Sequence, residues 1–164
     1  MRTPNAGWYM AFGLGALIVT LMMLPPFVGE SVRGYLMQGF AAVCHQLPGR
    51  SPHVDGVQLA VCHRCFGIYW GLPIAAVAYL AVKRQVRFGK RGPWILGFAL
   101  IPMLIDWGGD VLGVFSNTPG TRMATGLVFG LVAGLFLVLA FVDVRPSRSV
   151  AEPPVESEGR PTYH

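Results

Sequence analysis

Charge is what this sequence lacks. Only 13% of its 164 residues are charged, against 53% hydrophobic, where soluble domains carry about 25% charge. The shortage is uneven, because charges avoid four long intervals at about 8–27, 66–82, 93–114 and 123–142. Four such runs in a short chain leave too little polar surface for a soluble fold. They are long enough to cross the hydrocarbon of a bilayer, which takes about 20 residues per helix; the second is short unless it borrows residues before Cys65. The expected fold is all-α: a polytopic membrane protein with four transmembrane helices over 1–144, an outer loop at 28–65 and a polar tail at 145–164.

Other absences narrow the function. No histidine lies inside a span, which argues against a haem held between two histidines. Phe66, not histidine, follows Cys65, so the CxxC is not a c-type haem attachment site. No inverted repeat of the kind used by secondary transporters is visible. The first span lacks a small-x-small cleavage site, and Pro25-Pro26 follows it, so a retained anchor is expected rather than a secretory signal. The tail, with Pro146, Pro153, Pro154 and Pro161 among polar residues, is expected to be disordered.

One charge-rich interval stands out. "KRQVRFGKRG" carries Lys83, Arg84, Arg87, Lys90 and Arg91 with no acid. Short cationic loops stay in the cytoplasm, so both termini are expected inside and the 28–65 loop outside the cell membrane. No aromatic platform, zinc finger or helix-turn-helix accompanies these cations. Topology and anionic membrane lipids account for them without nucleic acid. Within that outer loop, Val32, Leu36 and Phe40 recur at i, i+4, i+8, as in an interfacial helix that delivers Cys44 to the membrane surface. Glycines also form rows. Gly126, Gly130 and Gly134 repeat every four residues, as do Gly67, Gly71 and Ala75. Such rows suit close helix packing, within one bundle or between copies in a homo-oligomer.

All three cysteines and three of the four histidines fall between Ala41 and Gly71. Cys62-His63-Arg64-Cys65 is a CxxC pair, and Cys44-His45 precedes a turn-rich excursion. Three sulfurs and one imidazole suffice for a tetrahedral zinc site. The expected metal ligands are Cys44, His45, Cys62 and Cys65. His53, His63 or an oxygen of Asp106 are alternatives to His45. A disulfide from Cys44 to Cys62 or Cys65, or a redox-active dithiol, remains open. On the same side, Asp106 and Asp110 stand one turn apart in the third span, and Arg122 opens the fourth. Acids in hydrocarbon face partners or cavities. Asp110–Arg122 is the expected ion pair, and Arg64 pairs with Asp106 or holds an anion.

"VCHQLPGRS" followed by "CHRCFGIYWG" resembles the signature of the DUF2085 family of small predicted membrane proteins. The resemblance runs over roughly 35–134 and carries Cys44, His45, Gln46, Pro48, Arg50, Ser51, Cys62, Arg64, Cys65, Gly67, Ile68, Tyr69 and Gly71, then Asp106, Asn117, Arg122, Thr125 and Gly126. Trp107 and Asp110 depart from the glycine and glutamine usual in that family after the third-span acid. The family has no known reaction. The resemblance implies that these residues form one site. Three functions suit it: a zinc site with a structural or accessory role in a membrane assembly, a metal-assisted enzyme using Asp106 with Arg64 or Arg122, and a quinone-type subunit of a larger membrane complex.

Overall fold

The structure, a computed structural model, describes residues 6–82 and 91–142. Most of the cationic loop and the polar tail lie outside the described residues. The elements in chain order are α1 (Ala6–Met23), α2 (Glu30–Ala41), β1 (His53–Val54), β2 (Val57–Gln58), α3 (His63–Val82), α4 (Gly92–Val111) and α5 (Pro119–Val142). Four of these, α1, α3, α4 and α5, are long and apolar enough to cross a membrane. The protein is a four-span helical membrane protein with a short strand-bearing loop.

Local chemistry sets each end of these spans. α1 stops at Met23, since Pro25 and Pro26 have no amide with which to continue its hydrogen bonds; a single 3-10 turn over Pro25–Phe27 follows. α3 begins one turn earlier than hydropathy alone indicates, with the Phe66 amide donating to the Cys62 carbonyl at 2.8 Å. Arg64 and Cys65 therefore lie in its first turn. α4 ends at Val111, and Gly113 adopts φ 69°. The Val114 amide reaches the Gly109 carbonyl at 2.9 Å and the Gly113 amide reaches Asp110 at 3.2 Å, the bonding of a Schellman stop. α5 opens with Pro119 in its first turn. Thr118 and Thr121 cap it reciprocally, each amide donating to the other's hydroxyl at 3.0 and 3.2 Å.

α2 forms in the outer loop and buries no residue completely; Leu36 and Phe40 share its part-buried face with Arg33 and Met37, while Val32 is exposed. β1 and β2 form one antiparallel hairpin with His53 opposite Gln58 and Val54 opposite Val57. Its two turn residues, Asp55 and Gly56, both have positive φ, 49° and 78°. This is the turn geometry that matches strand twist, and Asp-Gly favours it.

The bundle centres on α3 and α5, with α1 against both and α4 mainly against α5. α3 and α5 meet along the two glycine rows. A Cβ on Gly67 would overlap the Met123 carbonyl, one on Gly126 the Arg64 carbonyl, and one on Gly130 the Ile68 carbonyl. Backbone meets backbone along this seam, so dispersion is strong where lipid removes the hydrophobic drive. Two buried clusters flank it. One gathers Ala11, Ala76, Tyr79 and Val138. The other gathers Val19, Met22, Cys44, Ala60 and Val61 at the cysteine end.

Gly130→Ala is expected to lower the stability of the detergent-purified protein by about 1–3 kcal/mol, the usual cost of overpacking. Gly13→Ala in α1, where an added Cβ meets nothing within 4 Å, is expected to leave the unfolding midpoint in place. Equal midpoints for both variants would show that the seam is loose.

Candidate metal centre

Two segments bring the cysteines together. At the end of α2, the Cys44 amide donates to the Phe40 carbonyl at 2.9 Å, which carries the turn on and directs Cys44 inward. Gln46 then takes a left-handed conformation, φ 49°. Its side-chain amide donates to the carbonyls of Met37 at 2.8 Å and Ala60 at 2.7 Å. The Gln58 side chain returns a bond to the Gln46 carbonyl at 2.7 Å. These bonds tie the end of α2 to Leu59-Ala60-Val61, all buried, directly before α3. The Ala60 amide in turn reaches the Met22 carbonyl of α1 at 3.1 Å. Gln46 carries part of the family resemblance; its structural task, tying two loop segments together, was not visible in the sequence.

Cys44, Cys62 and Cys65 converge, with their sulfurs all within 4.8 Å of one another. All three are free thiols, and Cys44 is buried. The Cys62 amide donates to the Cys44 sulfur at 3.1 Å, a bond that stabilises negative charge on sulfur. Hydrogen bonding from the Cys44 thiol, and then from Cys65, holds the Cys62 thiol well below the ordinary thiol range. A thiolate is the form that binds metal. Zinc–sulfur bonds of about 2.3 Å would set tetrahedral sulfurs about 3.8 Å apart, inside the observed spread. The cluster is able to coordinate a metal ion.

No histidine belongs to this group among the described residues. His45 is exposed, although its neighbour Cys44 is buried. The His63 Nδ1 faces the Arg50 carbonyl at 2.7 Å, and the His53 Nδ1 faces the Ser51 carbonyl at 3.0 Å. Asp106 also lies outside the group. Around the sulfurs the packing is apolar, from Met22, Met23, Met37, Phe40, Phe66 and Trp70. Behind Phe66 and Trp70, an apolar cavity of about 580 Å³ opens between α3 and α5, bounded also by Ile74, Met123 and Leu127. No charged side chain lines it.

The three candidate catalytic residues, Asp106, Arg64 and Arg122, share one polar network at the same end. Asp106 is 6% exposed and accepts from Arg64 Nη2 at 2.6 Å. The Asn117 side-chain amide donates to the Asp106 carbonyl at 3.2 Å and to its Oδ2 at 3.3 Å. The Asn117 backbone amide donates to Asp110 Oδ1 at 3.2 Å. Arg122 Nε donates to Asn117 Oδ1 at 2.6 Å. The expected Asp110–Arg122 pair does not form. Asn117 stands between the two and bonds to both, and Asp110 meets Arg50 at 3.5 Å instead. The Arg64–Asp106 pair is as expected. Arg64 Nε is buried with no hydrogen-bond partner, so Asp106 is the main balance for that guanidinium.

Asp106→Ala leaves the mostly buried Arg64 guanidinium, 20% exposed, without its carboxylate and is expected to destabilise the protein by about 3 kcal/mol. Asp110→Ala is expected to cost under about 1 kcal/mol, since Arg50 is half exposed. Chemical unfolding of the two variants side by side checks the order; a reversed order would mean that the Arg64 pair does not bear on the fold.

An uncharacterized protein of Methanocaldococcus jannaschii is 32% identical over 105 residues, covering 64% of this chain and 67% of that protein. No solved structure matches the chain. The model of the family described as predicted membrane protein (DUF2085) matches residues 44–136. That interval begins at Cys44 and contains both remaining cysteines, Arg64, Asp106, Asn117 and Arg122. Matched over more than half its length, and in the stretch that builds both the sulfur group and the polar network, the chain belongs to the DUF2085 family of membrane proteins.

Proposed function

We propose that this protein binds zinc through Cys44, Cys62 and Cys65, and that the metal fastens the loop to the first turn of α3 in a structural or accessory role. The observation that carries this reading is the convergence of three sulfurs within 4.8 Å from two separate segments. A thiolate-bound ion adds folding energy directly. Arg64 stands between Cys62 and Cys65, so fixing the two sulfurs also fixes the arginine that meets Asp106. His45 beside Cys44 and His63 beside Cys62 are the adjacent imidazoles in sequence; His63 Nδ1 already faces the Arg50 carbonyl, so His45 is the candidate for a fourth position.

A second reading has one observation in its favour. The group supplies three ligands rather than four, and catalytic zinc sites keep an open position. In a metal-assisted enzyme, Asp106 would serve as base. Its carboxylate is already engaged by Arg64 and Asn117, which favours the structural role.

Protein purified anaerobically in detergent is expected to carry about one zinc per chain, as a single thiolate site requires. Cys62→Ser is expected to lose it. Elemental analysis with a free-thiol count checks both. In His45→Ala, weaker zinc would assign the fourth ligand, and unchanged zinc would favour the open site. A metal-free parent with all three thiols reactive would sink the zinc reading.

A further inference from the structure

Arg122 is the arginine of the polar network that meets no carboxylate. Arg64 pairs with Asp106 at 2.6 Å and Arg50 with Asp110 at 3.5 Å. Arg122 instead spends Nε on the neutral amide oxygen of Asn117 at 2.6 Å. Three guanidiniums thus meet two carboxylates. No ion pair to Arg122 occurs among the described residues, and its terminal nitrogens carry no hydrogen bond there.

The placement of this side chain is specific. Arg122 lies in the first turn of α5, half-buried, at the positive end of the helix dipole; Thr118 takes up its backbone amide at 3.1 Å and that of Thr121 at 3.2 Å. It lies one turn before Gly126 on the same face, and Gly126 packs against the Arg64 backbone. The two arginines therefore flank one seam. Asn117 uses both ends of its side chain, donating to Asp106 and accepting from Arg122. The amide holds Arg122 by Nε and leaves the two terminal nitrogens as a fork. Asp106 and Asp110 are both engaged elsewhere. A free, planar fork suits two oxygens of a phosphate.

We propose that Arg122 holds an oxyanion of the phosphate class at the cysteine-loop end of the bundle. A lipid headgroup and free inorganic phosphate share this chemistry. The site is separate from the sulfur group and does not depend on metal there.

The test uses the full chain in neutral detergent. Unfolding midpoints are read with sodium phosphate against sodium chloride at matched ionic strength, and with phosphatidylglycerol against phosphatidylcholine. The cations at 83–91 also attract anionic lipid, so the decisive quantity is the difference between the parent and Arg122→Gln. Stabilisation of the parent is expected, with affinity weakened about tenfold or more in Arg122→Gln, as loss of a charge-assisted hydrogen bond implies. A gain from inorganic phosphate identifies a free-anion site. A gain from lipid alone identifies a headgroup site. Should Arg122→Gln fail to fold, Arg122→Lys decides: the charge remains, the fork is lost, and weakened binding is expected. No gain in the parent, or full affinity in either variant, overturns the proposal.

Discussion

The site depends on how closely α3 lies against α5. Gly67, Gly126 and Gly130 let the two backbones touch, and a side chain at any of them would meet a carbonyl. Both helices open at the end that carries the cysteine loop. Arg64 and Arg122, each in a first turn, are thereby brought to one seam. α4 then lies mainly against α5 and presents Asp106 toward Arg64. Lipid offers no hydrophobic drive to hold helices together, so contact at this distance is what dispersion requires. The polar network is a consequence of that packing.

The first turn of α3 joins two kinds of chemistry. Cys62 and Cys65 contribute to the sulfur group, and Arg64, between them in sequence, turns to Asp106. A change in the position of one sulfur moves the arginine with it. On the proposed reading, an ion held by those sulfurs would also set the geometry of the Arg64–Asp106 pair. Gln46 has the matching task on the other segment. Its bonds to Met37 and Ala60 carry Cys44 to the head of α3.

Much of this was legible in the sequence, for physical reasons that differ by residue. The four spans showed because charge is expensive in hydrocarbon and is missing from those runs. Their ends did not follow from hydropathy. Thr118, Thr121 and Pro119 start α5 earlier than the apolar run, and Gly113 stops α4 before it ends. The three-cysteine group followed from ligand chemistry. The placement of His45 did not, because adjacent residues of an irregular loop point to different sides and no motif fixes which of Cys44 and His45 faces inward. Arg64–Asp106 was foreseeable from cost alone. Arg50–Asp110 was not, because the turn-rich loop gave no sign that it folds back over α4. The hairpin was a signal that sequence reading missed: Asp55-Gly56 is the dipeptide that favours the tight turn joining His53–Val54 to Val57–Gln58.

The central claim is that three cysteine sulfurs hold one metal ion at the head of α3. X-ray absorption at the zinc edge of the protein as purified tests it most directly. Three sulfur scatterers at about 2.3 Å, with any further ligand a lighter atom, are the expected result. A zinc shell made only of oxygen and nitrogen would contradict the account, because the metal would then lie away from Cys44, Cys62 and Cys65.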